Sequence, residues 1–245
     1  MTEVFRAQVT IDAAHADCFG RMKPSSILYF VQEVAGQNCK QLAVDWDTLA
    51  ARRMFWAVIR HRVQITRLPN KGETITVETW PMPATRAYYP RSVVGLDRDG
   101  NELFRSISIW VLMDMDTRAM ILPGKSGIAV PGLLRGSELA PPKSLAPVSL
   151  SAETSRQVHF TDLDVNGHMN NCRYLDWICD LLPSGFHHGH SMREFTLCYL
   201  TEAREGEMLK LQWELAQGGS LRVETIRHSS TDDQDHRIFS ADILF

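Results

Sequence analysis

Two segments 147 residues apart carry one pattern. Asp17-Cys18-Phe19-Gly20-Arg21-Met22 lies over Asp164-Val165-Asn166-Gly167-His168-Met169, and each runs straight into an apolar stretch of helical period. In the first half Pro24 occupies a first-turn position, followed by Ile27, Leu28, Val31, Val34 and Ala35. In the second, Asn170 or Asn171 is placed to cap, followed by Tyr174, Leu175, Ile178, Leu181 and Leu182. A strand–turn–strand comes after each helix: 62–68, a turn at Gly72, then 73–79; and 195–202, a turn at Gly206, then 207–213. The offset there is 134 residues, from Gly72 to Gly206. Two further strands close each half, 92–96 and 103–113, then 220–227 and 237–245.

Between the copies lies 117–151, which holds five of the chain's 11 prolines (Pro123, Pro131, Pro141, Pro142 and Pro147) and reads as a linker. The expected organisation is therefore an N-terminal unit over 1–116, a linker over 117–151 and a C-terminal unit over 152–245. Each unit is α+β: one long helix laid across a curved antiparallel sheet whose buried face it covers. That is a hot-dog unit, and since such units pair, the tandem chain reads as a double hot-dog, an intramolecular pseudo-dimer. Further homodimerisation stays open.

The repeat supplies its own comparison. Scaffold positions agree (Asp17/Asp164, Gly20/Gly167, Met22/Met169, Gly72/Gly206), whereas Phe19 stands opposite Asn166, Arg21 opposite His168 and Leu68 opposite Glu202. Only the second copy holds an Asn, a His and a carboxylate at these positions, which points to one working site per chain. The plain alternative is that Asn166 and His168 are turn and cap residues, because Asn-Gly marks a turn.

Other classes fit less well. The net charge is −3 on 245 residues, which gives no footprint for nucleic acid. Five cysteines, an odd number without a CxxC pair, argue against a disulfide scaffold or structural zinc site. No apolar run is long enough for a membrane span and the start lacks a signal-peptide layout, so the expected location is cytoplasmic. The tract His187-His188-Gly189-His190 has no carboxylate or cysteine nearby in its loop, so neither a metal nor a cofactor is expected.

The run Asp162-Leu163-Asp164-Val165-Asn166-Gly167-His168-Met169-Asn170-Asn171-Cys172-Arg173-Tyr174 resembles the central motif of the plant-type and bacterial acyl-ACP thioesterases, as does Tyr199-Leu200-Thr201-Glu202. The blocks at Gly20–Ser26, Gln32–Ala35, Asp45-Trp46, Phe55-Trp56 and Gly72–Pro81 resemble the family's first domain. The resemblance implies a double hot-dog that releases free fatty acid from acyl carrier protein. It puts the family's catalytic Asp, Asn and His on Asp164, Asn166 and His168, its acidic residue on Glu202, and its acyl tunnel in the first domain. Plant members carry a cysteine after the acid where this chain has Ala203, which favours water as the attacking group over a thiol.

On this reading Glu202, raised in pKa by an apolar pocket, is the general base; Asn166 and His168 polarise the carbonyl or hold the water; Asp164 orients His168; and backbone N–H groups of Met169–Asn171 face the oxyanion. The roles of Glu202 and His168 are interchangeable on sequence alone. Phe30, Phe55, Trp56, Trp110 and Met113 are candidate tunnel residues, and Arg52, Arg53 and Arg173 candidate docking cations for the acidic carrier protein. Competing functions are acyl-CoA hydrolysis, hydration (whose Asp and His usually stand five apart, against four here) and non-catalytic acyl binding.

Overall fold

The computed structural model describes residues 3–229 and 234–245. The chain divides into two compact units, Met1–Pro142 and Lys143–Phe245.

The first unit comprises β1 (Phe5–Thr10), α1 (Pro24–Gln41), α2 (Trp46–Ala50), β2 (Met54–Ile65), β3 (Thr74–Pro81), β4 (Tyr89–Leu96), β5 (Glu102–Asp114), β6 (Met120–Ile121) and α3 (Pro123–Ser126). Its antiparallel sheet has the order β1-β3-β4-β5-β2, with β6 on β5. The second unit comprises β7 (Ala152–Gln157), α4 (Asn171–Cys179), α5 (Ser184–Gly189), β8 (Glu194–Tyr199), β9 (Met208–Ala216), β10 (Ser220–Ser229) and β11 (Gln234–Leu244). Its order, β7-β9-β10-β11-β8, is the same permutation.

The repeat extends to single backbone hydrogen bonds. Met22 donates to the Pro69 carbonyl and Met169 to that of Ala203, both at 2.8 Å. Gly72 donates to Ile11 at 2.7 Å and Gly206 to Val158 at 2.9 Å. Those pairs fix Leu68 as the structural counterpart of Glu202 and Arg21 as that of His168.

Pro24 opens α1, and Ile27, Leu28, Val31 and Val34 are wholly buried along one face. That stripe stacks on β3 and β1 because a one-sided sheet needs an apolar cover. The second helix is shorter than its periodicity suggests: α4 stops at Cys179, and Leu181 and Leu182 lie past its end. Asp180 closes it, and Pro183, which no helix accommodates in its interior, precedes α5. Asn170, of the two candidates, is the cap, its side chain accepting from the Cys172 N–H at 2.8 Å.

The proline-rich stretch is not a free linker. Up to Pro142 it belongs to the first unit: Ile128 and Val130 pack on Leu49, Met54, Tyr89 and Leu112, and Leu139 on Ile107 and Ile109. Arg135 reaches Glu78 at 2.6 Å, and the Tyr89 hydroxyl meets Ser126 at 2.9 Å. Beyond it, the carbonyls of Leu145 and Ala146 accept from Arg237 and Arg222 of the second unit. The prolines remove donors that an irregular strap laid over a sheet could not satisfy.

Candidate active site

A tight turn precedes α4. Gly167 takes φ +73°, a conformation glycine supplies without strain, and Gly20 does the same at +78° in the first copy. The Asp164 carboxylate holds the turn, accepting from the N–H of Asn166 at 2.8 Å and of His168 at 3.4 Å. Asp17 does likewise for Phe19 and Arg21, both at 2.9 Å. Asp164 is thus a turn residue shared by both copies, and its bonds to His168 are to the backbone rather than to the ring. The Asn166 side chain is exposed and lies 3.4 Å from the Asp164 carboxylate.

What the second copy adds is a pair. His168 Nε2 lies 3.1 Å from Glu202 Oε2. Glu202 is not at a strand end as expected, since β8 stops at Tyr199; it sits in the loop beyond. That loop is pinned from two sides: the Ala203 carbonyl by Met169, and the Glu202 carbonyl by Arg227 at 3.3 Å. The imidazole is 18% exposed and the carboxylate 40%, so within this chain Glu202 lacks the apolar enclosure expected of it. At the equivalent place in the first copy, Arg21 is turned to Asp17 at 3.2 Å and lies over the Phe19 ring at 5.0 Å.

Of the backbone donors expected to face an oxyanion, Met169 is bonded to Ala203 and Asn170 to the Asp162 carbonyl, both at 2.8 Å, which leaves that of Asn171. Asp162 is a residue whose role the sequence reading missed. It is buried beneath α4, accepts from the Trp177 indole at 3.2 Å and the His159 N–H at 3.0 Å, and lies 3.5 Å from Arg173. Its signal in the sequence is the Asp-Leu-Asp run, which places it two residues before Asp164.

Burial pushes both Cys172 and Cys179 up to about 12, so neither supplies thiolate at neutral pH. His187 and His190 are tied to the carbonyls of Cys179 and Phe186 at 2.9 and 3.0 Å. The candidate docking cations also have partners: Arg52 the Ser126 carbonyl, Arg53 Asp116, and Arg173 Asp176.

The first unit contains a cavity of about 360 Å³ walled by Ala35, Val44, Trp56, Tyr89, Trp110 and Val130. Of the expected tunnel residues, Trp56 and Trp110 line it; Phe30, Phe55 and Met113 do not.

Two tandem units of one topology, with a His–Glu pair in the second at positions where the first has Arg21 and Leu68, define a double hot-dog with one candidate site at those positions. The acyl-ACP thioesterase N-terminal domain matches residues 2–122 and the C-terminal domain residues 146–245, and the chain belongs to that family. The chloroplastic palmitoyl-acyl carrier protein thioesterase of Gossypium hirsutum is 26% identical over 200 residues, covering 76% of this chain and 48% of that protein. The dodecanoyl-[acyl-carrier-protein] hydrolase of Cinnamomum camphora is 25% identical over 210 residues, covering 80% and 55%. The chain thus spans about half the length of these curated relatives. Among solved structures, an acyl-ACP thioesterase from Bacteroides thetaiotaomicron superposes with a TM-score of 0.85 at 21% identity, covering 99% of this chain and 97% of that one. The 12:0-ACP thioesterase of Umbellularia californica gives 0.81 at 22%, covering 98% and 96%. Among the described residues no helix is long and apolar enough to cross a membrane.

Proposed function

We propose that this chain hydrolyses the thioester of a fatty acyl–acyl carrier protein to a free fatty acid and the carrier thiol, with Glu202, His168, Asn166 and Asp164 as its site and an acyl carrier protein as its partner. The observation that carries the reading is the 3.1 Å contact between His168 and Glu202, present in the copy that has them and replaced in the other by Arg21 and Leu68. Membership of the family supplies the substrate class. The first unit, over 1–116 with its strap, holds the acyl chain; the second, over 152–245, carries the chemistry.

Water attacks the thioester carbonyl carbon while Glu202, the more exposed of the pair, accepts its proton. His168, whose Nε2 lies 3.1 Å from Glu202, positions the carboxylate, Asp164 shapes the turn that presents the imidazole, and the amide of Asn166 with the Asn171 N–H meets the oxyanion. Collapse breaks the C–S bond, and the thiolate takes the proton that Glu202 gained. A thiol leaves with a pKa near ~8.5, so the site needs a base more than a strong acid. Side-by-side turnover of matched acyl-ACP and acyl-CoA by the purified chain tests the reading. Faster cleavage of the carrier-bound thioester, lost in Glu202→Gln, supports it; faster cleavage of the CoA thioester moves the assignment to acyl-CoA hydrolysis, and cleavage of neither ends it.

A further inference from the structure

The cavity of the first unit is not lined as a purely hydrocarbon slot would be. Most polar groups on its apolar walls are already satisfied: the Trp56 indole donates to the Val44 carbonyl at 2.8 Å, the Trp110 indole to Ser108 at 2.7 Å, and the Tyr89 hydroxyl meets Ser126. Gln32 is different. It lines the cavity from α1, and its Nε2 is buried with no hydrogen-bond partner among the described residues. A leucine or methionine there would fill similar space without stranding a donor, so a buried amide needs an acceptor from something that enters.

A second observation points the same way. Arg91 also lines the cavity and is buried, yet its guanidinium bonds only neutral groups: Asn38 Oδ1 at 2.8 Å, Thr79 Oγ1 at 3.1 Å and Cys39 Sγ at 3.5 Å. No carboxylate is among its hydrogen-bond partners in the described residues. The carboxylate of Asp45, also on the lining, is engaged by the Thr48 hydroxyl.

We infer that this cavity selects acyl chains that bear an oxygen substituent, hydroxyl or keto, over plain alkyl chains of the same length, with Gln32 donating to that oxygen and Arg91 supplying positive potential in the same cavity. This deepens the thioesterase reading and rests on it for the identity of the ligand as an acyl chain. A site built to hydrogen-bond a substituent rejects the analogue lacking it, because the protein donor is then left buried and unpaired.

The test is direct binding, which needs no turnover. Decanoic, 3-hydroxydecanoic and 10-hydroxydecanoic acids are titrated into the full chain and followed by tryptophan fluorescence, since Trp56 and Trp110 form the walls. All three share one carboxylate, so their ratios isolate the added oxygen. At least one hydroxy acid binds about tenfold more tightly than decanoate, and Gln32→Met removes that preference while retaining decanoate. Decanoate binding as tightly as both hydroxy acids, a preference that survives Gln32→Met, or no binding by any acid overturns the inference. A hydroxy-acid preference in a protein that cleaves no thioester leaves the inference standing and overturns the catalytic reading instead.

Discussion

If His168 and Glu202 act as one unit, removing both costs little more than removing either. The contact is 3.1 Å, but the partners are 18% and 40% exposed, so solvent screens it. Its contribution to stability is then about 1 kcal/mol or less, which for a chain of this size moves Tm by roughly 2–4 °C. Its contribution to rate is larger, since a positioned base is worth about 10²-fold or more. Glu202→Gln and His168→Ala are each expected to lower turnover of an acyl-ACP by at least about 10²-fold. The double variant is expected to fall within about threefold of the worse single one, because groups that act together are not additive. The assay is release of carrier thiol under single-turnover conditions, with thermal unfolding run on the same samples. Multiplicative losses near 10⁴-fold in the double variant would refute the shared role, and a fall in Tm above 10 °C would show that folding, not chemistry, had been removed.

Other expectations follow from the same packing. Ala35→Leu puts three more carbons into the first unit's cavity; product analysis is expected to show shorter fatty acids, with about fourfold lost for each methylene excluded, and an unchanged product profile would separate the cavity from the acyl chain. Asp162→Ala strands the Trp177 indole and the His159 N–H and leaves Arg173 with Asp176 alone, so calorimetry is expected to show a loss of about 3 kcal/mol; a change below 1 kcal/mol contradicts the anchoring role. Burial alone would raise the Glu78 carboxyl, but hydrogen bonds from Arg6 and Arg135 outweigh it and hold it below its ordinary value of 4.5. A depressed carboxyl contributes stability above the unfolded value that disappears as pH falls through the folded one. Glu78→Gln is therefore expected to flatten the acid limb of a stability–pH curve below about pH 4.5, and an unaltered limb refutes this.

Much of this was legible in the chain. The paired Asp-x-x-Gly turns, Pro24 at the start of α1 and the glycine turns at 72 and 206 gave the repeat its register, because each is a local requirement of backbone conformation. The differences between the copies mark His168 and Glu202, which lie 3.1 Å apart. What was not legible depended on tertiary surroundings. Asp164 looked like a partner for the imidazole, but its chemistry is satisfied within its own turn, as Asp17 shows in the copy that has no histidine. The proline-rich stretch looked like a tether because proline content reports missing donors, not whether Ile128, Val130 and Leu139 find a sheet to pack on. Asp162 gave little sign because its burial is decided by Trp177, fifteen residues away.

The central claim is that the two copies share a scaffold and only the later one cleaves. Turnover of Arg21→Ala and His168→Ala on one acyl-ACP substrate, two substitutions at the same place in the repeat, tests it most directly. The account expects Arg21→Ala to stay within a few-fold of the parent and His168→Ala to lose about 10²-fold or more; equal losses in the two variants would contradict it.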